Sequence, residues 1–187
     1  MRQGSLLNSI DRTSTSAGAR LLAGWLAAPL AETRAIHRRQ EAVAYLFENP
    51  ELSSSLRSIL HGSSDLARAL SRLSLGRGGP RDLEVVAKAL NIATKVAELL
   101  AKIPKDLSNG RQPALLLDAA TSLVGHDLLA AELTNALDDS LPLLARDGGF
   151  VARGYDHKLD DFCSLRDNSR KLIASLQAGY QEETGVA

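Results

Sequence analysis

Between Arg81 and Lys102 the apolar side chains Leu83, Val86, Leu90, Ala93, Ala97 and Leu100 recur at spacings of three and four, which an α-helix gathers onto one face. A helix of that length with one apolar stripe has to bury it, so the rest of the chain must supply matching stripes. It does so between repeated start and stop signals. Thr13, Ser14, Thr15 and Ser16 offer oxygens that cap a helix start. Ala17, Leu21 and Trp25 follow as one stripe, with Leu22 and Leu26 beside them, and Pro29 stops the helix. On this pattern Trp25 is a core anchor. A second helix starts near Glu32-Thr33, presents Ile36, Gln40, Val43 and Phe47 on one face, and ends at Asn49. The Asn49 side chain can cap the next helix, with Pro50 at its first position and Leu52, Leu56, Ile59 and Leu60 as its stripe.

Asp65 or Ser64 begins a short helix with Leu66, Leu70 and Leu73 on one face and Arg68 and Arg72 on another. Gly76 to Arg81 reads as a helix-to-helix turn with Pro80 at the first helical position. A phosphate cradle fails there, since the Lys-Ser/Thr of a Walker A loop and the preceding strand are both missing. Pro104 terminates the long helix, and Asn109-Gly110 marks a turn. Leu115 to Val124 and Leu128 to Leu137 form two shorter helical stretches, separated by Gly125-His126-Asp127. Asp138 to Gly149 is a connector, followed by Phe150-Val151 as one short extended strand. Asp156 then caps a helix in which Leu159, Phe162, Arg166, Ser169, Ile173, Leu176 and Tyr180 make a coiled-coil-like seam. The expected fold is all-α: a multi-helix core over residues 1–148, then a connector and long protruding helix over 149–187.

Composition narrows function. The 22 basic and 22 acidic residues cancel, so the chain has no global charge signature of a DNA binder. In the last helix Lys158, Arg166, Arg170 and Lys171 alternate with Asp156, Asp160, Asp161 and Asp167, a balance that predicts weak or no DNA binding by this chain alone. A single cysteine, Cys163, excludes an internal disulfide framework and lacks a nearby His or basic pair to activate it. A reducing, cytoplasmic setting fits. No apolar run is long enough for a signal peptide or a membrane span, so a membrane role is not expected. His37, His61, His126 and His157 lie far apart, and His157 with Asp161 lacks further ligands, so no metal site is expected. Adjacent acids at Asp138-Asp139 and Asp160-Asp161 point different ways on a helix. No catalytic residue is therefore assigned to this chain.

Three motifs carry a resemblance. The first is Asp11, Arg12, Thr13, Thr15, Gly18, Arg20, Leu22, Trp25, Leu26, Pro29 and Leu30; the second is DLARALSRLSLGRGGPRDL from Asp65 to Leu83. A less specific tail comprises Gly154, Tyr155, Asp156, Leu159, Asp160 and Asp161, and Ile36 to Val43 adds an Ile-x-x-Arg-x-x-Ala-Val segment with Arg39 at its arginine. Together they resemble the helical core, or lever, domain of the MutS family of DNA mismatch-repair proteins.

The resemblance implies a fragment of such a protein, not itself an enzyme. It would act as a structural and allosteric connector between an ATPase and a clamp that embraces mismatched duplex DNA. Its cofactors, ATP and Mg, its second subunit and its downstream partner MutL would belong to the parent. No mismatch-reading Phe-x-Glu wedge or Walker segment stands in this chain, so no cofactor-binding residue is assigned here. Asp11, Arg12, Thr13, Thr15, Gly18, Arg20, Trp25 and Pro29 are expected to serve as a structural motif. Arg20, Arg68 and Arg72 are either solvated or brace an adjoining domain through carboxylate contacts. The alternative is a stand-alone helical interaction module that self-associates through its C-terminal helix.

Overall fold

A computed structural model describes residues 4–104 and 113–185. Nine α-helices occupy the described residues: α1 (Leu6–Ile10), α2 (Ser16–Ala27), α3 (Thr33–Glu48), α4 (Pro50–His61), α5 (Leu66–Ser74), α6 (Pro80–Ala101), α7 (Ala114–Ser122), α8 (Asp127–Ala136) and α9 (His157–Thr184). The helix order follows the sequence signals closely, and the Asn109-Gly110 turn lies outside the described residues.

The long internal helix α6 is the hub. It packs against α4, α5, α7 and α8, while α3 bridges α4 and α7. Val96 and Leu100 of α6 and Ile103 just past its end are the buried centre, with Leu52, Leu56, Ile59 and Leu60 of α4 and Leu116 and Leu117 of α7 closing over them. Each such leucine contributes about 1.5–3 kcal/mol when fully buried. Much of the remaining core is alanine, at Ala42, Ala69, Ala87, Ala89, Ala97 and Ala130, which lets helix axes approach closely. Thr94 on α6 adds a polar tie, its hydroxyl donating to Asp127 in the first turn of α8 at 3.0 Å.

Four local expectations change. Trp25 is not a core anchor: it stays 40% exposed, because α2 turns Gly18, Ala19, Leu22 and Ala23 inward and leaves Ala17 and Leu21 outside. On α3 the shielded side is Ala42, Tyr45 and Leu46, while Val43 and Phe47 face outward, Phe47 being 86% exposed. On α5 Ala69 replaces Leu70 as the buried residue between Leu66 and Leu73. Asn49 begins α4, but its amide donates back to the Tyr45 carbonyl at 2.8 Å and so finishes α3 rather than capping α4.

The expected strand at Phe150-Val151 is a single antiparallel bridge between Val151 and Leu137. Among the described residues no single helix is long and apolar enough to cross a membrane.

Candidate functional site

The N-terminal motif builds its own turn. Asp11 accepts from the Thr13 amide at 2.9 Å and from its hydroxyl at 2.7 Å, which holds the Asp11 carboxyl below the ordinary carboxylate value. Two residues on, Thr15 caps α2 by accepting from the Gly18 amide at 3.0 Å. A side chain at Gly18 would stand 3.0 Å from that same hydroxyl, so glycine keeps the cap unobstructed. Pro29 lies just past the end of α2, where the helix is already closed at Ala28.

Three arginines fasten this motif to the rest of the fold. Arg57 of α4 donates to the Arg12 carbonyl at 3.1 Å. Arg39 of α3 lies over the Trp25 ring at 3.8 Å from its centroid, a cation–π contact that explains why a half-exposed tryptophan is held in place. Arg20 of α2 grips Asp65 with both guanidinium nitrogens, at 2.6 and 2.8 Å. Beneath the motif an open cleft of about 450 Å³ runs between Leu22, Leu46, Leu56 and Leu60, with Arg12 and Arg57 at its rim. The N-terminal motif is therefore docked as much by charge as by apolar contact.

Asp65 is the meeting point. It caps α5 by accepting from the Arg68 amide at 3.3 Å, takes Arg20 end-on, and lies 3.3 Å from the Arg68 guanidinium. The Arg20 hydrogen bonds hold its carboxyl below the ordinary value, against a smaller opposing effect of burial, and raise Arg20 in turn.

One turn further along α5 the arrangement recurs. Arg72 pairs with Asp82 of α6, whose carboxylate also accepts from the Gly79 amide at 3.0 Å. The Arg72 bond depresses Asp82 for the same reason, and Arg72 is raised. Asp65 is the N-cap of α5 and Asp82 lies in the first turn of α6, both at helix starts where the backbone dipole favours negative charge.

The three candidate bracing arginines thus have carboxylate partners inside the chain. Arg20 and Arg72 are fully engaged, and Arg68, 70% exposed, makes the longer contact. Sequence reasoning did not find the acceptors Asp65 and Asp82 or the stacking role of Arg39. The usable signal was their position, since aspartates at a helix cap and at the third helical residue are shaped to accept.

The turn between α5 and α6 is equally constrained. A side chain at Gly78 would reach 2.5 Å from Leu73 of α5, and one at Gly79 would reach 2.8 Å from the Leu143 carbonyl, so α5 closes on the first glycine and the connector after α8 on the second. Arg81 reinforces the contact by donating to the Leu141 carbonyl at 3.1 Å. Among the described residues no group of three His, Cys, Asp or Glu side chains gathers in metal-binding geometry.

Beyond this connector α9 leaves the bundle. Asp156 caps it by accepting from the Leu159 amide at 3.1 Å, and its 28 residues share no extended packing with any other element. Phe162, Leu165, Leu172, Ile173, Leu176 and Tyr180 are all more than half exposed along it.

A helical core centred on one long hub, with a charge-clasped N-terminal motif and a projecting terminal helix, defines a helical core-domain architecture. The chain belongs to the MutS domain III family, whose description matches residues 1–183. It is 49% identical over 186 residues to the DNA mismatch repair protein MutS of Nitrobacter winogradskyi and 49% identical over 186 residues to that of Azorhizobium caulinodans. The MutS protein of Paracoccus denitrificans is 48% identical over 185 residues. Each alignment covers 99% of this chain but only 19–20% of the relative, so the chain spans about a fifth of the length of these proteins.

Proposed function

We propose that this chain is the connector segment of a DNA mismatch-repair protein, coupling ATP binding and hydrolysis elsewhere in the parent to its grip on mismatched duplex DNA. The observation that carries the reading is α9: 28 helical residues that share no extended packing with any other element among the described residues, in a chain whose residues 1–183 match MutS domain III. A stiff helix anchored at one end transmits displacement over its length, about 1.5 Å per residue. Transmission of this kind is a coupling free energy between two sites, carried by alternative packed arrangements.

ATP with Mg, a second subunit and MutL belong in this reading to the parent protein. Catalysis does too, and the setting is cytoplasmic. The chain alone binds duplex DNA weakly or not at all, in keeping with its zero net charge. The clasps Arg20–Asp65 and Arg72–Asp82 fix the N-terminal motif and α5 to the hub, and exposed Arg68 is the side chain best placed to reach an adjoining domain.

The test is a chimera. The Nitrobacter winogradskyi protein with its matching segment replaced by this chain should restore a low mutation rate to a repair-deficient host. A chimera that accumulates as folded protein and binds mismatched DNA, yet leaves the mutation rate at the deficient level, would defeat the proposal.

A second reading, a free-standing module pairing through α9, draws on the exposed Phe162, Leu165 and Ile173. Light scattering that shows concentration-dependent dimers only when α9 is present would favour it.

A further inference from the structure

The root of α9 divides into two hydrogen-bonded units with one residue between them. On the body side, the Leu137–Val151 bridge is locked by the Asp138 amide donating to the Phe150 carbonyl and the Ala152 amide donating to the Ala136 carbonyl, both at 2.9 Å. On the helix side, the Gly154 amide donates at 2.8 Å to the carboxylate of Asp160, a residue of the first turns of α9 itself. Ala152 therefore belongs to the body and Gly154 to the helix, and Arg153 is the residue that joins them.

Tyr155 spans this joint. Its amide donates to the Ala152 carbonyl at 3.2 Å, and its hydroxyl reaches back to Glu132 on α8 at 3.3 Å. Gly154 has φ of +86°, with nothing within 4 Å of where a side chain would stand, so its glycine identity serves backbone direction rather than space.

We propose that α9 is mounted on a pivot at Arg153–Gly154 and held at one angle by a latch, the Tyr155–Glu132 hydrogen bond. Hinges absorb their motion in a few residues at the end of an element, and here the 3.2 Å turn bond from the Tyr155 amide to the Ala152 carbonyl is the one backbone hydrogen bond among those described that crosses Arg153–Gly154. The latch is the only side-chain hydrogen bond between α8 and the α9 root among those described, and it is exposed, so a ligand or surface that competes for Glu132 or Tyr155 would release the helix. The regulatory meaning of this pivot rests on the connector reading above; its existence does not.

The experiment uses the chain itself, without DNA or ATP, so its outcome is separable from that of the chimera. In a Cys163→Ser background, spin labels are placed at Lys95 on α6 and Gln177 on α9, both exposed, and distance distributions are recorded by pulsed electron resonance. Tyr155→Phe removes the donor of the latch and Glu132→Ala its acceptor. Each should raise the population outside the parental distance peak by about twofold to tenfold, the change expected for one net hydrogen bond. The double variant should add nothing to either single one, because both break the same interaction. Circular dichroism should show unchanged helix content in all three. Distributions that superimpose on the parental one in both single variants, or effects of the two that simply add, would overturn the latch.

Discussion

Arg20 and Asp65, 45 residues apart in the chain, meet through two hydrogen bonds of 2.6 and 2.8 Å, and the same aspartate caps α5. One carboxylate therefore fixes the N-terminal motif and starts a helix of the core. Thermal unfolding should rank the substitutions accordingly. Asp65→Ala should lower the midpoint most, since it removes the cap and both arginine contacts. Arg20→Ala should follow, Arg20→Lys should recover part of the loss, and Arg68→Ala should fall least. Because lysine cannot reproduce the paired geometry, equal midpoints for Arg20→Lys and the parent would show that the bidentate contact does not matter.

Acid should weaken the same joints. Asp65 and Asp82 have folded-state pKa values lowered by Arg20 and Arg72, so their stabilising effect is complete above the unfolded carboxylate value of about 4. It is lost as pH falls through the lower folded values. Midpoints measured from pH 7 downward should hold until about pH 5 and then decline. In Asp65→Asn and Asp82→Asn variants the midpoint should be lower at pH 7 and its acid decline shallower. Identical acid profiles in parent and variants would show that other carboxylates govern it.

Glycines at two places should respond in opposite directions. Gly78→Ala forces a new carbon against Leu73, where even the backbone lies 2.9 Å away, and should destabilise by about 1–3 kcal/mol. Gly24→Ala, inside α2 with nothing within 4 Å, should stabilise by about 0.5–1 kcal/mol through helix preference alone. Urea unfolding of the two variants reads both signs.

The hub should be far more sensitive than the outward apolar faces. Leu100, 3% exposed at the centre of the α6 cluster, should cost about 2–5 kcal/mol on change to alanine. Phe47→Ser should stay within about 0.5 kcal/mol of the parent, because that ring is already in solvent. A large loss at Phe47 would mean that α3 turns a different face inward in solution.

Local chemistry made the helices legible. Thr15, Asp65 and Asp156 cap where their side chains permit, Pro50 and Pro80 start helices, and Pro29 marks a stop. The α6 stripe was readable because a central helix must bury its apolar side. On α2 and α3 the stripe misled, since periodicity states which face is apolar but not which face finds a neighbour. On α3 the buried residue is the small Ala42, on α2 Gly18 is held small by the Thr15 cap, and Trp25 is left to be covered by Arg39.

The Arg20–Asp65 clasp was half legible. The arginine's capacity for a bidentate contact is a property of the residue, whereas its partner is set by a fold that brings together positions 45 apart. Asn49 shows the same limit on a smaller scale, because two adjacent helix ends competed for one amide and the upstream carbonyl of Tyr45 took it.

The central claim is that α9 transmits, and its most direct test is to break the helix without disturbing the bundle. In a full-length mismatch-repair protein carrying this chain, a Gly-Gly-Ser insertion after the exposed Ser169 interrupts α9 where it shares no extended packing with another described element. Basal ATP hydrolysis and mismatched-DNA binding should each stay within about twofold, while the effect of mismatched DNA on nucleotide turnover falls by about tenfold, inside the range of ordinary allosteric coupling. Coupling that survives the insertion at full strength would contradict the account.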